Sequence, residues 1–236
     1  MNMKRIGLIM SAGNETRFGG DKPKSLSMIG DKCLLDMNIS LLKEFCTDVK
    51  VVVSTRNEAY FDGYDTITIE SGKGCGDAVM KALISLKCSP SDTCIIMWGD
   101  CIANREVIEL MLGRTLDVYD IIVPCHYESN PYVSLTKASG YISASFSKYG
   151  EIGANDHGFH DFGMFYGFCN IIASSLMDLA NRHVDAQGNY IHKHGNEINF
   201  LDIFNETEIV GDLLEIDDIE PKSFNTLEEL SNLYEV

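Results

Sequence analysis

Three positively charged side chains lie close together in a loop that follows the first apolar run of the chain. Arg17, Lys22 and Lys24 come after the apolar residues 6–10 and the small residues 11–13. A guanidinium group can contact two phosphate oxygens at once, whereas an ammonium group supplies a mobile point charge. Glycine, here Gly13, lets the backbone approach a charged ligand closely. These residue types favour a phosphate-binding loop, although an ordinary solvated loop between a strand and a helix remains open.

Two side chains with oxygen atoms could complete such a site. Asp100 follows the apolar residues 93–98, and Asn225 stands at the start of a C-terminal helical pattern. Carboxylate and amide oxygens suit Mg²⁺, which could be held between the protein and substrate phosphates. Taken alone, each residue is explained more simply as a turn residue or a helix cap.

A glycine-rich stretch opens another predicted helix. Small residues allow a flat nucleotide base to lie against the backbone, and the amino end of a helix favours anions. A flexible entry loop would have the same composition. The stretch reads Ser71-Gly72-Lys73-Gly74-Cys75-Gly76-Asp77-Ala78.

Histidines occur in two short groups, in residues 156–161 and 192–194. Neither group has a recognised metal-ligand spacing, and neither places two histidines four residues apart on a helix. We therefore interpret both groups as structural or solvated, with His157 or His160 as possible lining of a substrate pocket.

The elements that must position these residues alternate in the first half of the chain. This alternation predicts a largely parallel sheet covered by helices on both faces, with ligands at the carboxyl ends of the strands. Asn104 is the expected cap of the third helix. The pattern predicts strands at 6–10, 49–54, 66–69, 93–98 and 120–124, and helices at 34–45, 76–86 and 104–112.

The second half is richer in strands. Residues 132–136 and 141–146 form a predicted antiparallel hairpin, and residues 185–196 a polar surface loop. The remaining pattern predicts strands at 162–168 and 208–215, and helices at 171–181, 197–204 and 226–233, the last capped by Asn225 or Thr226.

Composition excludes several classes of protein. The chain has 236 residues, 45% of them hydrophobic, and a formal net charge of −16. Because no basic cluster offsets this charge, a nucleic acid or an anionic membrane is not an expected partner. No apolar run approaches the ~20 residues that span a bilayer. The eight cysteines form no C-x-x-C pair, so we expect free thiols in a cytoplasmic protein.

The opening of the chain resembles the signature of the GT-A-type nucleotidyltransferases, which comprise the sugar-phosphate, phosphocholine and methylerythritol-phosphate nucleotidylyltransferases. The resemblance implies a three-layer α/β/α Rossmann-like fold, with a mixed, mainly parallel sheet and a small antiparallel region in the second half. The sequence departs from the family pattern at Glu15, a position where a second glycine is common. The opening reads Leu8-Ile9-Met10-Ser11-Ala12-Gly13-Asn14-Glu15-Thr16-Arg17-Phe18-Gly19, then Pro23-Lys24-Ser25-Leu26, and further similar segments are 74–78, 98–100, 161–165, 197–202 and 224–230.

The resemblance implies that an acceptor phosphate attacks the α-phosphate of a nucleoside triphosphate, that pyrophosphate leaves, and that Mg²⁺ assists. It implies one domain over residues 1–236, with a nucleotide-binding half (1–125) and an acceptor-binding half (126–236). Arg17 and Lys24 would be catalytic, and Asp100 and Asn225 would hold the metal. The nucleotide would contact Ser11, Ala12, Gly13, Asn14, Gly74, Gly76 and Asp77, and the acceptor Asp161, Gly163, His157 and Glu197.

Among nucleotides we expect CTP, because the chain stops soon after the closing segment and is similar in size to the cytidylyltransferases of small alcohol phosphates. The acceptor could be phosphocholine-like, an amino-acid-derived phosphate such as phosphoglutamine, or a sugar 1-phosphate. A GT-A glycosyltransferase is the alternative enzyme, although Asp100-Cys101-Ile102 lacks the Asp-x-Asp usual there. Glu15 favours a third possibility, a non-catalytic nucleotide-sensing module. The oligomeric state is left open.

Overall fold

A computed structural model of the protein describes residues 3–13, 22–70, 72–138, 141–153, 156–187 and 189–232. The predictions for Asn14, Glu15 and Arg17 lie outside these residues. The strands are β1 (Arg5–Ser11), β2 (Met28–Ile29), β3 (Lys32–Cys33), β4 (Asp48–Ser54), β5 (Thr66–Ile69), β6 (Thr93–Trp98), β7 (Ile121–Ser129), β8 (Val133–Ala138), β9 (Tyr141–Phe146), β10 (His157–Asp161), β11 (Met164–Phe168) and β12 (Gly211–Glu215).

Most of these strands form one mixed sheet. Its order is β5-β4-β1-β6-β11-β7-β10-β8-β9, with β12 beside β7. Strands β5, β4, β1 and β6 pair in parallel, as does β12 with β7. The pairs that involve β8, β9, β10 and β11 are antiparallel. The carboxyl ends of β1 and β6 therefore lie side by side at one edge of the sheet.

Helices cover both faces of the sheet, which confirms the predicted three-layer fold. Alternate side chains of β1 enter opposite cores, Ile6 and Leu8 on one face and Ile9 on the other. Helices α2, α4 and α5 pack on the first face, and α1 and α3 on the second. The helices are α1 (Leu34–Phe45), α2 (Cys75–Leu86), α3 (Arg105–Leu112), α4 (Cys169–Arg182), α5 (Ile203–Glu206) and α6 (Leu227–Asn232).

The strand predicted over residues 162–168 is shorter in the structure. Strand β11 begins at Met164, and the preceding residues form a separate strand, β10, that the sequence pattern did not reveal. The two strands part at Phe162 and Gly163, where Gly163 adopts a φ of +69°. Its position leaves no space for a Cβ atom beside Cys101 and Trp98. Glycine is therefore required where the chain turns from β10 into β11.

Two predictions for residues 185–204 are wrong. Tyr190, His192 and His194 are buried instead of lying in a surface loop. Glu197 and Ile198 are not helical, because the Ile198 amide donates to the Lys73 carbonyl and the Ile198 carbonyl accepts from the Gly76 amide. The backbone here bonds across the chain, so helical structure starts only with a 3₁₀ turn at Phe200–Asp202, followed by α5.

All eight cysteines are free thiols, as predicted, and four of them are buried. Within the part of the chain that the structure describes, no helix has both the length and the apolar character needed to cross a bilayer.

Candidate active site at the carboxyl edge of the sheet

A cavity of about 420 Å³ opens at the carboxyl ends of β1 and β6. Segments from four distant parts of the chain surround it: the loop after β1, the start of α2, the turn after β6 and the residues that precede the 3₁₀ turn at Phe200–Asp202. Its position is the one where open α/β sheets bind ligands. The lining residues are Met10, Ser11, Ala12, Gly13, Lys24, Ser25, Gly72, Gly74, Cys75, Ala78, Trp98, Gly99, Asp100 and Glu197.

Lys24, Asp100 and Asn225 meet at one side of this cavity, and we call them the Lys24 cluster. The Lys24 Nζ atom lies 3.2 Å from Asp100 Oδ2 and 3.3 Å from Asn225 Oδ1. The side chains of Lys24 and Asp100 are 12% and 29% exposed, so the cluster is sheltered but open to solvent. Two oxygen atoms from distant parts of the sequence thus face one cation.

The C-terminal segment reaches Asp100 through backbone hydrogen bonds. The Ile102 amide donates to Lys222, the Phe224 amide donates to Asp100, and Cys101 forms a β-bridge with Ser223. The Phe224 ring is fully buried against Leu34 and Leu230. This anchor brings the next residue, Asn225, to Lys24.

Thr226 caps the last helix, which leaves the Asn225 side chain available for the cluster. The Thr226 hydroxyl accepts a hydrogen bond from the Glu229 amide at 3.1 Å. Of the two predicted caps, Thr226 is therefore the one observed. The other predicted cap, Asn104, accepts from the amides of Glu106 and Val107, as expected.

Close packing fixes the position of Asp100. The Gly99 amide bonds to the Met10 carbonyl, and a Cβ atom on Gly99 would lie 2.7 Å from the Ser11 hydroxyl. Beyond Asp100, the buried Asn38 donates to the Cys101 carbonyl and accepts from the Ala103 amide, both at 2.9 Å. These contacts hold the turn after β6 against β1 and α1.

Two buried hydroxyl groups at the cavity have no hydrogen-bond partner among the described residues, namely those of Ser11 and Ser25. The Asn57 side-chain amide donates to the backbone carbonyl of Ser11 at 2.9 Å and so helps to fix the position of this residue. A buried polar group without a partner is costly, so such a group at a cavity is a candidate ligand contact.

The glycines at the start of α2 have a packing role. A Cβ atom on Gly74 would lie 2.6 Å from the Ile198 carbonyl, and one on Gly76 2.8 Å from the Ile198 side chain. These residues let the chain before α5 lie directly on the glycine-rich loop. Glu197, which lines the cavity, is positioned by the same contact.

The side chain of Asp77 bonds to the glycine-rich stretch and to α2. It is buried, accepts from the Lys73 amide at 2.8 Å and forms an ion pair with Lys81 at 2.7 Å. Asp77 and Gly76 do not line the cavity, and their predicted contact with a nucleotide stays a prediction.

Two of the predicted acceptor residues, His157 and Asp161, lie at opposite ends of β10. Asp161 is buried and accepts from the Gly163 amide at 2.8 Å, so it stabilises the turn beside Trp98. His157, at the opposite end of the strand, is exposed and its ring stacks on Tyr127. Because four residues of strand separate these ends by about 13 Å, the two side chains do not meet. Their role in binding an acceptor stays a prediction.

The cysteine next to Asp100 is a poor nucleophile. Burial raises the pKa of Cys101 well above its ordinary value of 9.0, and the charges of Asp100 and Asp161 raise it further. The Cys101 thiol is therefore protonated at neutral pH, which disfavours covalent catalysis through this residue.

The structure brings together Ser11, Ala12, Gly13, Lys24, Gly74, Asp100 and Glu197 as lining of one cavity, with Asn225 joined to it through Lys24. Sequence reasoning proposed Gly72, Cys75 and Ala78 only as members of the glycine-rich stretch, and it did not propose Ser25 as a site residue. Ser25 directly follows Lys24, so adjacency to a predicted site residue was the available signal.

Residues 7–154 match the model of the MobA-like NTP transferase domain. Among curated proteins, the bifunctional protein GlmU of Buchnera aphidicola is 27% identical over 145 residues, which cover 57% of this chain and 31% of GlmU. The 2-C-methyl-D-erythritol 4-phosphate cytidylyltransferase of Neisseria meningitidis is 37% identical over 67 residues, covering 28% of this chain and 29% of the enzyme. The alignments thus span less than a third of each relative.

Solved structures share the fold across nearly the whole chain. HddC from Yersinia pseudotuberculosis is 17% identical with a TM-score of 0.68, and the match covers 99% of both chains. A Bacillus anthracis protein described as a glucose-1-phosphate thymidylyltransferase is 13% identical with a TM-score of 0.71, covering 98% of this chain and 94% of that protein. The resemblance to nucleotidyltransferases is confirmed, and this chain belongs to the family of MobA-like NTP transferase domains.

Proposed function

We propose that this protein transfers CMP from CTP to a small phosphorylated acceptor and releases pyrophosphate. The observation that carries the proposal is the convergence of Asp100 Oδ2 and Asn225 Oδ1 on the Lys24 ammonium group at the mouth of the cavity. Two oxygens that face one cation, beside a loop with small residues, suit the binding of a nucleoside triphosphate with its counterion.

The donor atoms of the Lys24 cluster fit Mg²⁺. A carboxylate and an amide oxygen are hard ligands, and Mg²⁺ usually takes only one or two protein ligands and fills its remaining positions with water and substrate phosphates. Asp100 and Asn225 would hold the ion. When bound, Mg²⁺ neutralises negative charge on the phosphates.

The residues of the cavity then position and stabilise the reacting phosphates. An oxygen of the acceptor phosphate forms a bond to the α-phosphorus, the bond from that phosphorus to the β-phosphate oxygen breaks, and its electron pair leaves with pyrophosphate. Lys24 stabilises the charge that develops around the α-phosphate, and the Ser11 and Ser25 hydroxyls donate to phosphate oxygens. We assign Arg17 to the triphosphate and the leaving pyrophosphate.

In this proposal, residues 1–125 of a single domain bind the nucleotide, and residues 126–236 bind the acceptor. The base would lie against Gly72, Gly74 and Ala78, beside the backbone of residues 11–13. The preference for CTP is supported by the local similarity to a cytidylyltransferase. The acceptor would be phosphocholine-like, an amino-acid-derived phosphate or a sugar 1-phosphate, approaching from Glu197 and β10.

A pyrophosphate-release screen tests the proposal. Four nucleoside triphosphates are each combined with Mg²⁺ and a panel of phosphorylated amines, amino acids, alcohols and sugars. We expect release to require both substrates and to be fastest with CTP. Faster release with UTP, GTP or ATP for every acceptor would overturn the choice of base.

Two further outcomes would overturn the reaction itself. Binding of CTP without pyrophosphate release over the whole panel would favour a nucleotide-sensing module, and turnover of a nucleotide-sugar without pyrophosphate would favour a glycosyltransferase. The variant Asp100→Ala, checked for folding by circular dichroism, separates enzymatic release from background hydrolysis.

A further inference from the structure

A second group of polar residues lies between α4 and β12, and we call it the histidine cluster. It consists of His183, His192, His194, Asp202 and Glu206. The side chains of His192, His194 and Asp202 are at most 2% exposed, while those of His183 and Glu206 are 27% and 28% exposed. None of the five lines the cavity at the carboxyl edge of the sheet.

The inner part of the cluster is fully hydrogen-bonded. His194 Nδ1 lies 2.9 Å from Asp202 Oδ1, and His194 Nε2 lies 2.9 Å from Glu151 Oε1. These distances are typical of hydrogen bonds to carboxylates. His194 therefore has no ring nitrogen available for another ligand.

The outer part is different. His192 Nε2 lies 3.3 Å from Glu206 Oε1, and His183 Nε2 lies 3.6 Å from Glu206 Oε2. The His183 Nε2 atom is buried and has no hydrogen-bond partner among the described residues. Four potential ligand atoms, the two histidine nitrogens and the two carboxylate oxygens of Glu206, thus face one another at separations too long for strong hydrogen bonds.

These separations match the coordination shell of a zinc ion. Zinc bonds of about 2.0–2.2 Å to histidine nitrogen and carboxylate oxygen place tetrahedral ligands about 3.3–3.5 Å apart. One ligand atom from each of His183, His192 and Glu206 can be chosen so that all lie within 4.8 Å of one another. Two histidines and one carboxylate, with a fourth position open to water, form a known zinc-binding set.

The other ring nitrogen of His192, on the opposite side from Glu206, is also in contact with the protein. His192 Nδ1 accepts a hydrogen bond from the His194 amide at 3.3 Å and lies 3.6 Å from Asp202 Oδ2. These contacts fix the orientation of the ring. The described residues contain another histidine–carboxylate group, His126, Glu128 and His160, but its contacts are longer, at 3.4 and 4.0 Å.

We propose that His183 Nε2, His192 Nε2 and the Glu206 carboxylate bind one Zn²⁺ ion. The ion links the end of α4 to α5 across the intervening segment. That segment continues to Ile198, whose backbone bonds to Lys73 and Gly76 at 2.6 and 2.8 Å. Zinc would therefore stabilise the part of the chain that carries Glu197 to the cavity.

Zinc titration of the untagged chain of 236 residues tests the proposal. After removal of metals with a chelator, calorimetry is carried out in excess Mg²⁺, which occupies hard oxygen sites, and without nucleotide. We expect one Zn²⁺ per chain and a rise in the melting temperature. Co²⁺ in place of Zn²⁺ should give the intense visible absorption of a tetrahedral site.

The variants His183→Ala and Glu206→Gln alter partly exposed side chains, so both should fold. We expect each to weaken zinc binding at least ~100-fold and to remove the thermal shift. His160→Gln, which alters the other histidine group, should bind zinc like the wild type. Absence of binding to the wild type, unchanged binding in both variants, or loss of binding in His160→Gln would each overturn the proposal. None of these readouts depends on nucleotidyl transfer.

Discussion

The Lys24 cluster and the inner pair of the histidine cluster, His194 and Asp202, both place a carboxylate next to a basic group, but they differ in their access to solvent. Lys24 and Asp100 lie 3.2 Å apart with side chains 12% and 29% exposed. His194 and Asp202 lie 2.9 Å apart with side chains 2% and 0% exposed. An accessible pair can exchange its internal contact for a substrate or an ion. A buried pair is retained in the fold, and removing one partner leaves the other buried without compensation, which destabilises the fold.

The histidine cluster should give the largest effect, through stability. His194→Ala leaves Asp202 and Glu151 without their shared partner, and Asp202 is fully buried. We expect the free energy of unfolding to fall by about 3–5 kcal/mol, as measured by urea denaturation. A change below about 1 kcal/mol would show that the buried contacts contribute little and would remove the contrast between the two clusters.

The Lys24 cluster should respond through activity instead. Lys24→Ala removes the charge that the proposed reaction requires near the phosphates, so we expect kcat for pyrophosphate release to fall about 100- to 1000-fold. Because Asp100 keeps contact with solvent, the free energy of unfolding should change by less than about 1 kcal/mol. Lys32→Ala, on the exposed strand β3, is the matched control and should leave both quantities unchanged. Equal losses in the two variants would contradict a specific role for Lys24.

A substitution at Asn38 should lower both the stability of the fold and the activity. Asn38→Ala leaves the Cys101 carbonyl and the Ala103 amide without their partner, so we expect a loss of about 1–3 kcal/mol in stability. It should also lower activity, because Asp100 precedes the released segment. Asn104→Ala, which removes the cap of α3, should cost about 1 kcal/mol without lowering kcat. If both variants have the same kcat, Asn38 only stabilises the fold.

The smallest expected effect is on the free energy of unfolding at acidic pH. Burial alone would raise the pKa of Glu151, but hydrogen bonds from His194 and the Phe146 amide outweigh it, so the pKa lies below its ordinary value of 4.5. Glu151 therefore stabilises the fold above pH 4.5, and this contribution is lost as the pH falls through the lowered pKa. Denaturation of Glu151→Gln should show a shallower decline below pH 4.5 than the wild type. Glu228→Gln, on the exposed side of α6, should follow the wild type.

Local patterns predicted the first half of the chain well. The bounds of α1, β5 and β6 agree with the predictions, because their apolar residues follow the helical or buried-strand pattern without interruption. The Lys24 cluster was expected from the resemblance to a family, and the structure brings its members together. What periodicity could not show is that Asn225, instead of capping α6, turns towards Lys24.

Residues 183–206 were predicted poorly for a physical reason. Polar composition suggested a surface loop, yet His194 is buried because Asp202 and Glu151 satisfy both of its ring nitrogens. Glu151 lies 43 positions away in the sequence, so no local pattern contains this pairing. Ile198 likewise leaves the helical pattern because its backbone bonds to Lys73 and Gly76.

The backbone contact between residues 100–102 and 222–224 has a consequence for the order in which the Lys24 cluster can form. Lys24 and Asn225 are 201 positions apart, so the cluster can form only after residue 225 has been synthesised. A nascent chain could form its first parallel strands and its glycine-rich loop on the ribosome and still lack the Asn225 oxygen. Proteolytic cleavage after Ser223 would likewise remove this oxygen from a folded protein. The contact between residues 100–102 and 222–224 thus makes the Lys24 cluster depend on an intact link between two distant parts of the sequence.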